Sequence, residues 1–420
     1  MTGEIGASTP TRSREAAPHV LEEPSFSAEP GETFSIKQGD TFVVADAWGD
    51  VFGGADGLFH NDTRILSRLQ LLIGGARPSR LSAGLSRDNS LFTMHGANHR
   101  LPPLGGPETP RGVIHIERKR CLAQARLFEQ IRLTNHGLHT VMTPIALRFA
   151  ADFRDMFEVR GAHRLRRGIL EKPQVTGREV VFGYQGLDGA QRSSVVSFSL
   201  PPGRLTQDQA DFLFSIERGE SVDLILEVAT ETGTVPDRHR FEAAVVNGRR
   251  NHRRFASEGA TVTAADGAFE AWLRQSRADV ATLTTTLETG PYPYAGIPWF
   301  STTFGRDGII TAWQLLWLDP ALARGVLTFL ARHQATTRSA FADASPGKIL
   351  HEARRGEMAT LKEIPFGVYY GGVDTTPLFI ALAGAYLRRT DDAGFVAEIW
   401  PALLRASAWI EDEGDSDGDG

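Results

Sequence analysis

A length of 420 residues exceeds what one ordinary hydrophobic core accommodates, so two domains are expected; 41% apolar and 23% charged residues is a globular composition. The net charge of −6 gives no basic footprint, which argues against nucleic acid and anionic membrane surfaces as general partners. The single cysteine, Cys121, has no second thiol in the chain for a disulfide and excludes a cysteine-based zinc site.

The chain opens on "MTGEIGASTPTRSREAAPHVLEEPSF", without the basic start and apolar run of a secretory signal. Residues 1–28 read as a disordered tail, rich in Pro, Ser, Thr and Glu. No stretch approaches the ~18 consecutive apolar residues of a membrane span, so no membrane partner and a cytoplasmic address are expected.

Residues 29–250 are written in short strands. "TFVVADAWGDV", "ARLFEQIRLTNHG", "TVMTPIALRFAADF" and "SVDLILEVAT" alternate apolar and polar residues between Gly, Pro, Asn and Asp breaks. Regular short strands of this kind predict an antiparallel β-sandwich. "NGRRNHRRF" then reads as a charged connector.

Residues 251–420 change period. "GAFEAWLRQSRADVATLTT" places Phe269, Trp272, Leu273, Val280 and Leu283 on one helical stripe. "RDGIITAWQLLWL", "ALARGVLTFLARHQA", "DTTPLFIALAGAYLRR" and "DAGFVAEIWPALLRASAWI" are also of helix length. Asp374 suits an N-cap. This half is expected to be all-helical, with about five helices.

Three loops concentrate chemistry. "PWFSTTFGRDG" sets Trp299 and Phe300 before Arg306 and Asp307 at a helix start. Aromatic rings cover the apolar face of a sugar, and a guanidinium with a carboxylate holds its hydroxyls; core aromatics beside a surface ion pair would look the same. "PGKILHEARRGEM" holds His351, Glu352 and Arg354, a solvated charged loop or a polar wall; it lacks the spacing of a two-histidine zinc helix. "PFGVYYGGVDTTPLF" adds Tyr369, Tyr370 and Asp374. "DSDGDG", with Asp415, Asp417 and Asp419, matches the first half of a calcium loop but equally an acidic interhelical loop. Phosphate-loop, dinucleotide and serine-hydrolase motifs are missing from the sequence, and no metal or cofactor is expected.

Together, "PWFSTTFGRDGIITAWQLL", "HEARRGEM", "YYGGVDTTPLF" and the earlier "GDTFVVADAWGDVFGGADGLFHNDTRILSRLQLLIGG" resemble the bacterial amylo-α-1,6-glucosidase, or glycogen-debranching-like, family over about Phe34 to Gly420. The resemblance implies a β-sandwich followed by the first part of an (α/α)6 barrel, and an α-glucan or oligosaccharide as substrate. It implies that Arg306 and Asp307 bind hydroxyls of a terminal glucose, with Trp299 and Phe300 as platform. His351, Glu352, Arg354, Tyr370 and Asp374 would line the neighbouring loops. The family's general acid belongs to a Trp-Lys-Asp-Ser-like motif that this sequence lacks, so the catalytic acid and base are expected to be missing. A trehalase-like or other α-glucosidase barrel, or a non-catalytic carbohydrate-binding protein, are the competing readings.

Overall fold

The computed structural model describes residues 32–105 and 107–414. The expected tail over residues 1–28 and the Asp415–Asp417–Asp419 loop lie outside the described residues.

Strand alternation is realised as the sequence predicts. Along Val141–Ala150 the buried residues are Val141, Thr143, Ile145, Leu147 and Phe149, every second position. This strand pairs antiparallel with Arg68–Ile73 on one side and Gln209–Ile216 on the other. It faces a larger antiparallel sheet that includes Leu91–Ala97, Ile114–Ala123, Arg126–Asn135, Ser221–Ala229, Gln191–Phe198 and Glu179–Gln185. Between the layers Phe149, Phe182, Phe198 and Phe212 meet mostly edge to face, Phe198 and Phe212 at 5.6 Å. A further four-stranded sheet runs through Thr33–Gln38, Thr41–Asp46, Gly57–His60 and Thr63–Leu66. Its last hairpin closes on Asn61 and Asp62, both left-handed (φ 48° and 59°), the geometry of a two-residue mirror-image turn.

The sandwich also buries charge. Arg118 and Arg120 are 1% exposed and converge on Glu129, which is 0% exposed, while Arg118 also reaches Asp50. Paired in this way, the ions offset one another's desolvation.

The helices number eight among the described residues: α1 (Met156–Val159), α2 (Arg238–Ser257), α3 (Gly267–Leu283), α4 (Gly305–Gln314), α5 (Pro320–Arg332), α6 (Glu357–Thr360), α7 (Thr375–Thr390) and α8 (Ala393–Glu413). Asp266, Asp319 and Asp392 cap α3, α5 and α8 by accepting from backbone N–H groups. The apolar faces of α4, α5, α7 and α8 pack together around Ile309, Leu327, Leu330, Phe379, Leu382 and Ile399.

Four expectations need correction. The second half is not all-helical: Thr284–Leu287 pairs with Gly290–Pro293, and Thr303–Phe304, Glu352–Ala353 and Val368–Tyr369 form a three-stranded sheet. These runs are two to four residues long, too short for a periodicity to register. "NGRRNHRRF" is no connector but lies within α2, which continues through residue 250 and rests on the sandwich. Phe269 and Trp272 are 49% and 60% exposed and Leu273, Val280 and Leu283 only partly buried; the buried residues of α3 are Ala278, Ala281 and Thr282, outside the expected stripe. Asp374 occupies the N-cap position of α7 but makes no side-chain cap bond; its carboxylate is turned to Arg306.

Candidate sugar-binding site

The three-stranded sheet delivers the site, because it runs directly into α4 and lies beside the start of α7. Gly305 opens α4 under the Leu350 carbonyl oxygen, where any β-carbon would collide, and its N–H donates to the His351 carbonyl at 2.8 Å. Residues paired across strands share a face. Phe304, Glu352 and Tyr369 therefore share one face, and Thr303, Ala353 and Val368 the other.

On the first face a rim of rings forms. Phe300 meets Phe304 at 5.8 Å, Phe304 meets His351 at 5.9 Å, and His351 meets Tyr369 at 6.0 Å, all edge to face. Phe300 is 45% exposed. Across the helix starts, Arg306 Nη1 lies 3.4 Å from Asp374 Oδ2, with both side chains nearly half exposed. His351 Nδ1 and Thr375 Oγ1 are buried without a hydrogen-bond partner. Both flank Gly372, where an added β-carbon would lie 3.1 Å from the first and 2.6 Å from the second. Buried polar atoms left open beside a missing side chain are places for a ligand or solvent hydroxyl.

The structure thus brings together Phe300, Arg306, His351 and Asp374. It separates the others. Asp307 lines a different cleft with Val280, Tyr294 and Ile310, because consecutive helical residues point about 100° apart. Trp299 is half buried against Phe42, Phe59 and Met156 of the sandwich side. Tyr370 is buried, its hydroxyl donating to the His333 carbonyl at 2.7 Å. Glu352 accepts from Arg354 Nε at 2.6 Å, and both are buried.

Arg354 is a junction. Its Nη1 donates to Asp62 Oδ1 at 3.1 Å and its Nη2 to the Trp299 carbonyl at 2.7 Å, with the guanidinium near the Phe157 and Phe304 rings. Asp62 also accepts from the Arg355 N–H at 2.9 Å. A few residues on, Glu357 accepts from Tyr184 Oη, Leu187 N and Arg164 Nη1, all groups of the sandwich side. Asp155 accepts from the Met358 N–H at 3.1 Å, and burial pushes its carboxyl up to about 6 despite bonds from the Phe157 and Met358 amides. The loop carrying His351 is therefore held from the sandwich side. Sequence reading missed Asp62, Asp155, Tyr184 and Glu357 as its holders. The one local signal was "HND", whose polar pair suits a left-handed turn.

Comparison with known proteins follows this division. Residues 36–227 match the family described as the N-terminal domain of (some) glycogen debranching enzymes. No curated protein matches the chain. A solved structure described as a kojibiose phosphorylase from the human microbiome is similar at a TM-score of 0.58 and 9% identity, over 90% of this chain. That likeness is one of fold, and the chain spans 57% of that protein's length. A structure described as an aldose 1-epimerase from Escherichia coli K12 aligns over 47% of this chain and 98% of its own, at 10% identity and a TM-score of 0.28, too low to carry an argument. Over residues 36–227 the chain is thus similar to the N-terminal domain of (some) glycogen debranching enzymes, and a helical region follows that match.

Proposed function

We propose that the chain supplies the sugar-binding side of an α-glucan-directed glycoside hydrolase of the amylo-α-1,6-glucosidase type. The observation that carries this is the rim itself: an exposed aromatic, a half-exposed Arg306–Asp374 pair and the open His351 Nδ1, gathered at two helix starts. Rings stack on the C–H face of a glucose unit, and the charged pair holds adjacent hydroxyls. The linkage preference is not carried by these residues.

Glycoside hydrolysis needs two carboxyl groups flanking the bond, one of them free to give a proton. Glu352 is bound to Arg354, Glu357 to Arg164 and Tyr184, and Asp374 to Arg306. These engagements favour a second reading, in which the chain binds carbohydrate without cleaving it.

Two measurements decide. Titration of the chain with maltotriose by calorimetry is expected to show binding that Arg306→Ala weakens roughly 10- to 150-fold, the equivalent of ~1.5–3 kcal/mol for charged hydrogen bonds. An unchanged affinity would remove the rim from the proposal. Glucose release from a branched glucan by the same chain would reject the non-catalytic reading.

A further inference from the structure

The opposite face of the three-stranded sheet borders a second cleft. It lies at the seam between the sandwich and the helical region, with a volume of about 190 Å³. Asp40 and Asn61 line it from the sandwich; Tyr294, Ser301, His333 and Arg355 line it from the helical region. Interfaces are close-packed where they can be. Here a gap persists, more than tenfold larger than the ~10–15 Å³ a single water needs.

Its walls are chemically incomplete in one way only. Ser301 is 8% exposed, and its Oγ has no hydrogen-bond partner; nor has the buried Oδ1 of Asn61. The charges, in contrast, are matched. Asp40 accepts from Tyr294 Oη at 2.6 Å and from Arg355 Nη1 at 3.2 Å. Asp62, behind it, takes Arg354 and the Arg355 N–H. His333 Nδ1 donates to the Phe329 carbonyl at 2.8 Å. An anion would meet two carboxylates and a cation two guanidiniums, whereas a neutral hydroxyl can both give and take.

We propose that this seam cleft is a second binding site, separate from the aromatic rim, for a neutral polyhydroxylated ligand of about one sugar ring. Asn61 presents an acceptor from a left-handed turn that Asp62 locks to the helical region, so the site is held open before the ligand arrives. Ser301 gives the hydroxyl contact from the other wall. The two sites share the sheet but use opposite faces of it.

Glucose is the probe, titrated into the chain by calorimetry. Arg306→Ala silences the rim, and saturable glucose binding is expected to persist in that variant. Adding Ser301→Leu fills the cleft and is expected to weaken it at least tenfold. Asn61→Gly keeps the left-handed turn and removes the acceptor; it is expected to weaken binding about fivefold, with a melting temperature close to that of the parent, so a folding defect in Ser301→Leu does not decide the matter. The proposal is overturned if glucose fails to saturate, if Arg306→Ala alone abolishes binding, if Asn61→Gly leaves the affinity unchanged, or if inorganic phosphate competes with glucose.

Discussion

The sandwich seals one cluster of ions completely and turns most of its large rings inward; in the helical region two ion pairs and several large apolar side chains come to the surface. Arg118, Arg120, Glu129 and Asp50 are each at most 1% exposed. Arg306–Asp374 and Arg324–Asp392 have side chains between 32% and 49% exposed. Phe149, Phe153 and Phe198 are fully buried, whereas Trp272, Trp317, Trp400 and Leu404 are all more than half exposed. The sandwich closes its layers on each other. The helical region leaves apolar faces open and leans on the sandwich through Lys37, Asp40, Asp62, Asp155 and Arg164. The two regions are joined by a polar seam.

The harshest test of that contrast is Glu129→Ala. It strands the buried Arg120 and leaves Arg118 only Asp50, and is expected to cost about 3–5 kcal/mol in urea unfolding of the sandwich. A loss below about 1 kcal/mol would mean that the cluster is hydrated and that the sandwich is not the stronger partner.

Asp62→Ala comes next. It removes charged hydrogen bonds worth about 1.5–3 kcal/mol, but their loss should stay local. Hydrogen exchange is expected to quicken over 350–358 and to remain unchanged over 127–133. Uniform acceleration across both would show the two regions unfolding as one unit.

Lys37 sharpens the comparison at the seam itself. It donates to Thr285 Oγ1 at 2.7 Å, and burial pulls its ammonium down to about 7, with Asp40 opposing. The unfolded chain keeps this proton up to the ordinary value of 10.5, so between pH 7 and 10.5 it binds more protons than the folded chain. Stability should therefore rise with pH across that window, and Lys37→Met should flatten the rise. A melting temperature that climbs equally in both proteins would assign the effect elsewhere.

The smallest effect is expected at Arg306. Its partner lies at 3.4 Å in solvent, so Arg306→Ala should change unfolding free energy by less than about 1 kcal/mol while altering sugar affinity. A large fall in melting temperature would return the pair to a structural role.

The strand grammar of Val141–Ala150 was legible because a period of two is local and the buried face repeats it. The one cap expected from the sequence, Asp374, makes no cap bond, while Asp266, Asp319 and Asp392, which were not singled out, do cap their helices. Of the loop residues singled out in the sequence, Phe300, Arg306, His351 and Asp374 do gather at one rim. Trp299, Glu352, Arg354 and Tyr370 look identical in sequence but are engaged in packing or in bonds to neighbours. Nothing in a short window tells a guanidinium that binds ligand from one that binds its own fold.

The sequence by itself determined that a period of two gives way to one of about 3.6, and which loops carry aromatic and charged groups together; it did not fix where the change falls, since α2 begins at Arg238 inside the stretch read as strands. Only the tertiary structure decided which of those groups are free. Arg354 meets Asp62 across 292 positions, and Glu357 meets Tyr184 across 173. Such a bond forms because burial removes the water that would otherwise serve both partners, and burial is a property of the packed regions together, not of any segment of the chain.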